Sequence, residues 1–193
     1  MPTEGKAAVL TESEVKRVIA VQRSAKFADR NIALIYSSFG LGLRAKELSL
    51  LKISDVVDGS GNIKEVVNLT AAHTKGGKQR HVYLTNKKVV DAIRTYLDGR
   101  NLTGYDAALF LSQKGGRFTP NTMQMLFRRI YRDAGIEGAS SHSGRRTFAT
   151  RLIENGADIK AVSKLMGHSS ISMTAQYVED NPERLKKLTV LAI

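Results

Sequence analysis

Apolar residues return at helical spacing along most of this chain, and glycine or proline punctuates the pattern where it stops; only between Lys52 and Leu84 does the period change. A chain written this way is confined to short helices packed on one another with one small insertion of sheet. Thr11-Glu-Ser-Glu14 has the spacing of a capping box and precedes Val15, Val18, Ile19 and Gln22, so a helix is expected from about residue 12. A second helix is expected over Ile32, Ile35, Tyr36 and Phe39, ending at Gly40 and Gly42, and a short third one from Arg44 to Leu51. Thr119-Pro120, a cap followed by a first-turn proline, opens a helix that Gly135 stops; Met123, Leu126, Phe127, Ile130 and Tyr131 form its apolar face, and Gln124, Arg128 and Arg132 its polar one. Further helices are expected from Lys87 to Leu97, Gly144 to Asn155, Asp158 to Met166, Ser170 to Val178 and Pro182 to Leu188.

Between these helices lie β-branched runs, Ile53 to Val57, Ile63 to Thr70 and Arg80 to Leu84, separated by Asp58-Gly-Ser-Gly-Asn62 and Lys75-Gly-Gly-Lys78. They predict a three-stranded antiparallel sheet. The expected fold class is α+β, mainly α, with all 193 residues in one domain around one core.

Charge narrows the partners. Thirty Lys and Arg against 18 Asp and Glu give a formal net charge of +12, and a folded domain this basic attracts polyanions, nucleic acid first among them. Having no cysteine, the chain lacks disulfides, thiolate metal sites and cysteine nucleophiles. Met1 to Ala8 lacks the basic start and apolar stretch of a secretory signal, and no run is apolar enough to span a bilayer. A cytoplasmic protein without a membrane partner is expected, at the nucleoid when bound to DNA.

Against that basic background, five features recur in order. Gly42-Leu-Arg44-Ala-Lys-Glu47 sets an arginine three residues before a carboxylate. Thr74-Lys75-Gly-Gly-Lys78-Gln-Arg80 puts cations on a hairpin turn. His142-Ser-Gly-Arg145 places an imidazole and a guanidinium on one face of a helix start, where the helix dipole favours an anion. Leu165-Met-Gly-His168 places a second histidine just past a helix stop, and Tyr177 follows nine residues later. Taken singly, each has an ordinary explanation: a surface ion pair, turn residues, a helix cap, a half-buried tyrosine. His73 and His81 flank the hairpin turn but make a poor metal site, and no metal or other cofactor is expected.

In this order and spacing, the features resemble the tyrosine recombinases, or phage integrase family, from Leu10 to about Val178. The resemblance implies the catalytic fold of that family, with Arg44 and Arg145 as phosphate clamps and Lys75 as proton donor. It further implies His142 and His168 as phosphate and proton-handling partners, Tyr177 as nucleophile, and Glu47 as support for Arg44. Double-stranded DNA is the implied substrate, cut and rejoined without metal or ATP through a 3'-phosphotyrosyl ester by four protomers on two paired sites, with DNA-bending accessory proteins as further partners. Lys78, Arg80, Lys114, Arg117, Arg128 and Arg146 are candidates for phosphate contact, beside the alternative of a solvated basic face. The tail after Tyr177, residues 179–193, carries Pro182, Leu185, Leu188, Leu191 and Ile193 and is expected to dock on a neighbouring protomer.

The implied chemistry is physically coherent. A nucleophile reaches a phosphodiester only if charge growing on the non-bridging oxygens is neutralised, and paired guanidiniums do that. The departing deoxyribose oxygen needs a proton, which a lysine or histidine can give. Two departures stand out: Gly144 and Arg146 occupy places where the family usually has an apolar residue and often a histidine, and the amino-terminal helical domain of many relatives is not found ahead of the match. An excised catalytic domain and a short family member, like the small inversion recombinases of fimbrial switches, both fit. Two other functions share the pattern: a non-catalytic DNA-binding regulator of the same fold and a type IB topoisomerase.

Overall fold

A computed structural model describes residues 7–72, 79–100, 104–177 and 189. Lys75, Lys78, His73 and the tail apart from Thr189 therefore lie outside the described residues. Eleven elements follow one another there: α1 (Glu12–Arg23), α2 (Ala28–Leu41), α3 (Ala45–Leu50), α4 (Ile53–Val56), β1 (Val66–Leu69), β2 (Arg80–Tyr83), α5 (Lys87–Asp98), α6 (Pro120–Asp133), α7 (Ser143–Glu154), α8 (Ile159–Met166) and α9 (Ser172–Ala175). No helix among the described residues is long and apolar enough to cross a membrane.

Local chemistry starts these helices where the sequence says it should. Thr11 Oγ1 accepts from the Glu14 backbone N–H at 3.2 Å, and Glu14 Oε2 accepts from the Thr11 backbone N–H at 2.8 Å, closing the capping box of α1. Thr119 caps α6 ahead of Pro120, and the expected apolar face, Met123, Leu126, Phe127, Ile130 and Tyr131, is buried throughout. Phe127 and Tyr131 stack at 6.1 Å there. Fully burying a side chain of the size of Phe127 contributes roughly 1.5–3 kcal/mol, so this stripe fixes which way α6 faces.

The sheet is smaller than expected, two strands among the described residues. Ile53–Val56 is a helical turn because Asp55 Oδ2 accepts from the Lys52 backbone N–H at 2.7 Å, a cap that an extended chain could not form. Val57 meets Ile63 only in an isolated bridge. β1 and β2 pair antiparallel, Val66 with Tyr83 through Leu69 with Arg80. Val67, Leu69, Arg80 and Val82 face inward.

Among the described residues, buried side chains form two clusters instead of one. The larger gathers α1 to α6 and the hairpin. A smaller one, Ala149, Ile153, Val162 and Met166, joins α7 to α8, and the ring of Tyr177 packs against it. Tyr177 itself lies just past α9, in a turn closed by its backbone N–H donating to Thr174 O at 2.9 Å, and not on a helix running to Val178.

Candidate active site

The site begins where α2 ends. Gly42 takes a left-handed conformation, φ 61°, and a Cβ there would meet the Phe148 ring at 2.6 Å, so only glycine both turns the chain and admits α7. Two residues later Arg44 sits at the amino end of α3, and one turn on is the buried Glu47. Glu47 Oε1 accepts from Arg44 Nη at 2.9 Å, while Oε2 accepts from the Arg44 backbone N–H at 2.8 Å and from Arg80 Nη at 2.6 Å. Burial alone would raise the Glu47 pKa, but Arg80, the Arg44 N–H, Arg145 and Arg44 together hold it below the usual carboxylate range. The Arg44 side chain stays 21% exposed, so its guanidinium remains reachable from solvent.

Arg145 enters from the first turn of α7. It is buried, with one Nη donating to Gly42 O at 2.6 Å and the other to Met166 O. Its fork thereby joins the end of α2 to the end of α8. Gly144 makes this approach possible, since a Cβ there would fall 2.9 Å from Ser38 Cβ and 3.1 Å from the Phe39 ring. Loss of water, then repulsion from Arg44 and Arg80, pulls the Arg145 pKa down against Glu47 and Tyr177. Three guanidiniums surround one carboxylate.

Beside them, a cavity of about 180 Å³ is lined by Ala7, His142, Arg145, Arg146, Gln176 and Tyr177. His142 stands exposed at the start of α7, and partial loss of water followed by Arg145 and Arg44 lowers its pKa. His168 follows the left-handed Gly167 at the end of α8. Its Nδ1 pairs with the buried hydroxyl of Thr174 at 2.8 Å, and its ring stacks on Tyr177 at 5.8 Å between centroids and 18° between planes. Burial, Arg145, Arg44 and Arg80 push its pKa down to about 4, leaving the imidazole neutral near pH 7. No three His, Asp or Glu side chains come together as metal ligands among the described residues.

Arg44, Glu47, Arg145, His142, His168 and Tyr177 thus converge from α3, α7, the end of α8 and the turn after α9. The candidates for phosphate contact do not share one environment. Arg146 lines the same cavity as Tyr177. Lys114, Arg117 and Arg128 line a separate groove of about 770 Å³ with Arg30, Arg129 and Arg132, and Arg117 also donates to Leu50 O at 2.7 Å, capping α3. Arg80 turns inward and is 7% exposed, its Nη atoms taken by Glu47 and by Leu165 O at 2.8 Å, so unlike Lys114 and Arg128 it is not a solvated surface cation. The alternation Arg80, Val82, Leu84 carried that signal, for one strand face is buried as a set. Thr174, Gln176 and Arg129 carry no motif of their own, and only packing brings them into view.

Comparison with known proteins fits this arrangement. Residues 8–184 match the sequence pattern of the phage integrase family. Tyrosine recombinase XerC of Pelobacter propionicus is 33% identical over 160 residues, 82% of this chain and 50% of that protein. A crystal structure of XerA recombinase superposes with a TM-score of 0.77 at 29% identity, over 98% of this chain and 66% of that one. XerH recombinase, in a post-cleavage complex with palindromic difH substrate, superposes with a TM-score of 0.74 at 26% identity, over 97% of this chain and 53% of that one. The chain spans half to three fifths of the length of the curated relatives it matches.

Proposed function

Because this chain belongs to the phage integrase family, we propose that it breaks and rejoins double-stranded DNA through a 3'-phosphotyrosyl ester at Tyr177. The observation that carries the reading is the charge imbalance around Glu47. Arg44 and Arg80 pair with one buried carboxylate while Arg145, bonded to backbone carbonyls, adds a third charge close enough to feel it, and a phosphodiester at the cavity mouth supplies negative charge to a site that is short of it.

The steps follow from the groups at hand. Arg44 and Arg145 hold the non-bridging oxygens, where charge grows as the attacking oxygen approaches phosphorus. Tyr177 Oη forms the new P–O bond and gives up its proton; neutral His168, stacked on the same ring, is the nearby base. The bond to the 5' oxygen breaks, and Lys75 gives that oxygen a proton as it departs, so that it leaves as the 5'-hydroxyl. His142, which lines the same cavity as Tyr177, donates to the phosphate. The ester conserves the energy of the broken bond, so attack by a new 5'-hydroxyl reverses every transfer and rejoins the strand without ATP or a metal ion. Two paired sites need four protomers, with DNA-bending proteins helping to assemble them.

Covalent capture on nicked duplexes tests the reading. The wild-type chain is expected to give a protein–DNA adduct on a denaturing gel, and Tyr177→Phe none. An adduct that survives Tyr177→Phe sinks the assignment, DNA binding without any adduct favours a regulator, and relaxation of supercoils without recombinant product favours a topoisomerase.

A further inference from the structure

Resting on the strand-transfer reading above, the geometry points to Arg80 as a positioning residue that locks His168 onto the Arg44–Glu47 pair. Arg80 opens β2, opposite Leu69 in the register, and its side chain follows Val82 into the interior. A charge in that position is out of keeping with the rest of the strand face. The ion pair with Glu47 is almost fully buried, with side-chain exposures of 5% and 1%, and such a pair adds little net stability over apolar packing of the same volume. What the pair supplies is a fixed position.

The other end of the guanidinium shows what is being held. The last carbonyls of a helix lack partners within it and sit at its negative pole, where cations are favoured. At the end of α8, Arg80 takes Leu165 O and Arg145 takes Met166 O. Two arginines therefore grip consecutive carbonyls, and Gly167 and His168 follow directly. A Cβ on Gly167 would stand 2.6 Å from Arg80 Cδ and 3.1 Å from its Nε, so the glycine is required by the arginine beneath it as well as by its own φ of 62°. From there the His168 ring is fixed through Nδ1 by Thr174, and Nε2 has no partner among the described residues. Glu47, meanwhile, aims Arg44 with its remaining oxygen. One side chain sets the spacing between the phosphate clamp on α3 and the imidazole beyond α8.

The full chain, with Arg80→Gln, Arg80→Lys and a core control, Val18→Ala, decides the matter by two measurements. The first is histidine-selective NMR, readable because the chain has four histidines. The ring signals of His168 are expected to move in Arg80→Gln and stay in Val18→Ala. The second is adduct formation on nicked DNA at saturating concentration, expected to slow on the order of 100-fold in Arg80→Gln with DNA affinity unchanged. Arg80→Lys keeps the charge but reaches only one of the two acceptors, and falls between; it carries the same comparison should Arg80→Gln fail to fold. Arg80→Gln combined with His168→Ala is expected to be no slower than His168→Ala alone. The proposal is overturned by unmoved His168 signals, by weaker DNA binding at an unchanged rate, by multiplied losses in the double variant, or by equal slowing in Val18→Ala. Absence of any adduct from the wild type removes the strand-transfer reading instead, and the NMR comparison still decides whether Arg80 holds His168.

Discussion

A Cβ on Gly144 would overlap the Ser38 side chain, 2.9 Å from its Cβ and closer still to its Oγ, so α7 crosses α2 at a distance that only glycine permits. Arg145 is the next residue, and its reach to Gly42 O depends on that crossing. Gly144→Ala is expected to cost about 1–3 kcal/mol by overpacking and to abolish most adduct formation by pushing Arg145 off its carbonyls. The loss has a specific remedy. Gly144→Ala with Ser38→Gly moves the missing volume across the interface, and recovery of melting temperature and adduct together identifies the crossing as the cause. Ser38→Ala alone should change little, since the buried Ser38 Oγ has no hydrogen-bond partner among the described residues.

Glu47→Gln removes the one carboxylate among three arginines. Breaking a buried ion pair from one side typically costs about 3–5 kcal/mol, and here Arg44 also loses its aim. The effect depends on pH in a definite direction. The folded pKa of Glu47 lies below its ordinary value of 4.5, so its stabilisation is fully present above that value and is lost as pH falls through the lower folded one. The wild-type minus Glu47→Gln difference in unfolding free energy should be flat from pH 7 to about pH 5 and shrink on further acidification. A difference that stays constant to pH 3 shows that the carboxylate is not held ionised.

DNA should change the titration of His168. In the free protein its pKa is about 4, below the ordinary 6.5, so between those values the unfolded chain takes up a proton that the folded one refuses, and stability declines as pH falls. Burial contributes first and the three arginines after it. A phosphate seated between Arg44 and Arg145 neutralises the arginine share, and the His168 midpoint should rise when DNA binds. By linkage, DNA then binds more tightly as pH falls through that window. Titration of the His168 ring signals with and without duplex gives the answer, and an unmoved midpoint places the phosphate elsewhere.

Much of this arrangement is legible from residue types alone, because it is local. The capping box at Thr11 and Glu14, the start of α6 at Thr119-Pro120, its apolar face and the glycine after α8 follow from rules that act within a few residues. What the sequence hides depends on partners far along the chain. Ile53 to Val57 has the β-branched look of a strand, yet one hydrogen bond from Lys52 to Asp55 turns it into helix. Arg80 looks like a surface cation until Glu47, 33 residues away, is brought under it. Gly144 looks like a weak helix residue until Ser38 stands against it. Tyr177 looks helical because Ile171, Thr174 and Val178 suggest a continuous turn, but packing on the α7–α8 cluster ends α9 at Ala175.

The groove along α6 separates affinity from chemistry. Lys114 and Arg128 are exposed on it, away from the cavity that holds Tyr177, so as phosphate contacts they would hold the duplex without touching the reacting phosphorus. Each neutralised phosphate releases counterions, and losing one contact should lower the slope of log affinity against log salt by about 0.9. Lys114→Ala and Arg128→Ala are therefore expected to weaken DNA binding with that reduced slope, while adduct formation at saturating DNA proceeds at the wild-type rate. Arg117→Ala should differ from both. Its guanidinium caps α3 through Leu50 O, the helix whose amino end carries Arg44, so its loss should lower the melting temperature and slow adduct formation as well as weaken binding. Binding curves at several salt concentrations, paired with single-turnover rates, separate the two patterns, and an unchanged salt slope in Lys114→Ala and Arg128→Ala removes the groove from the DNA path.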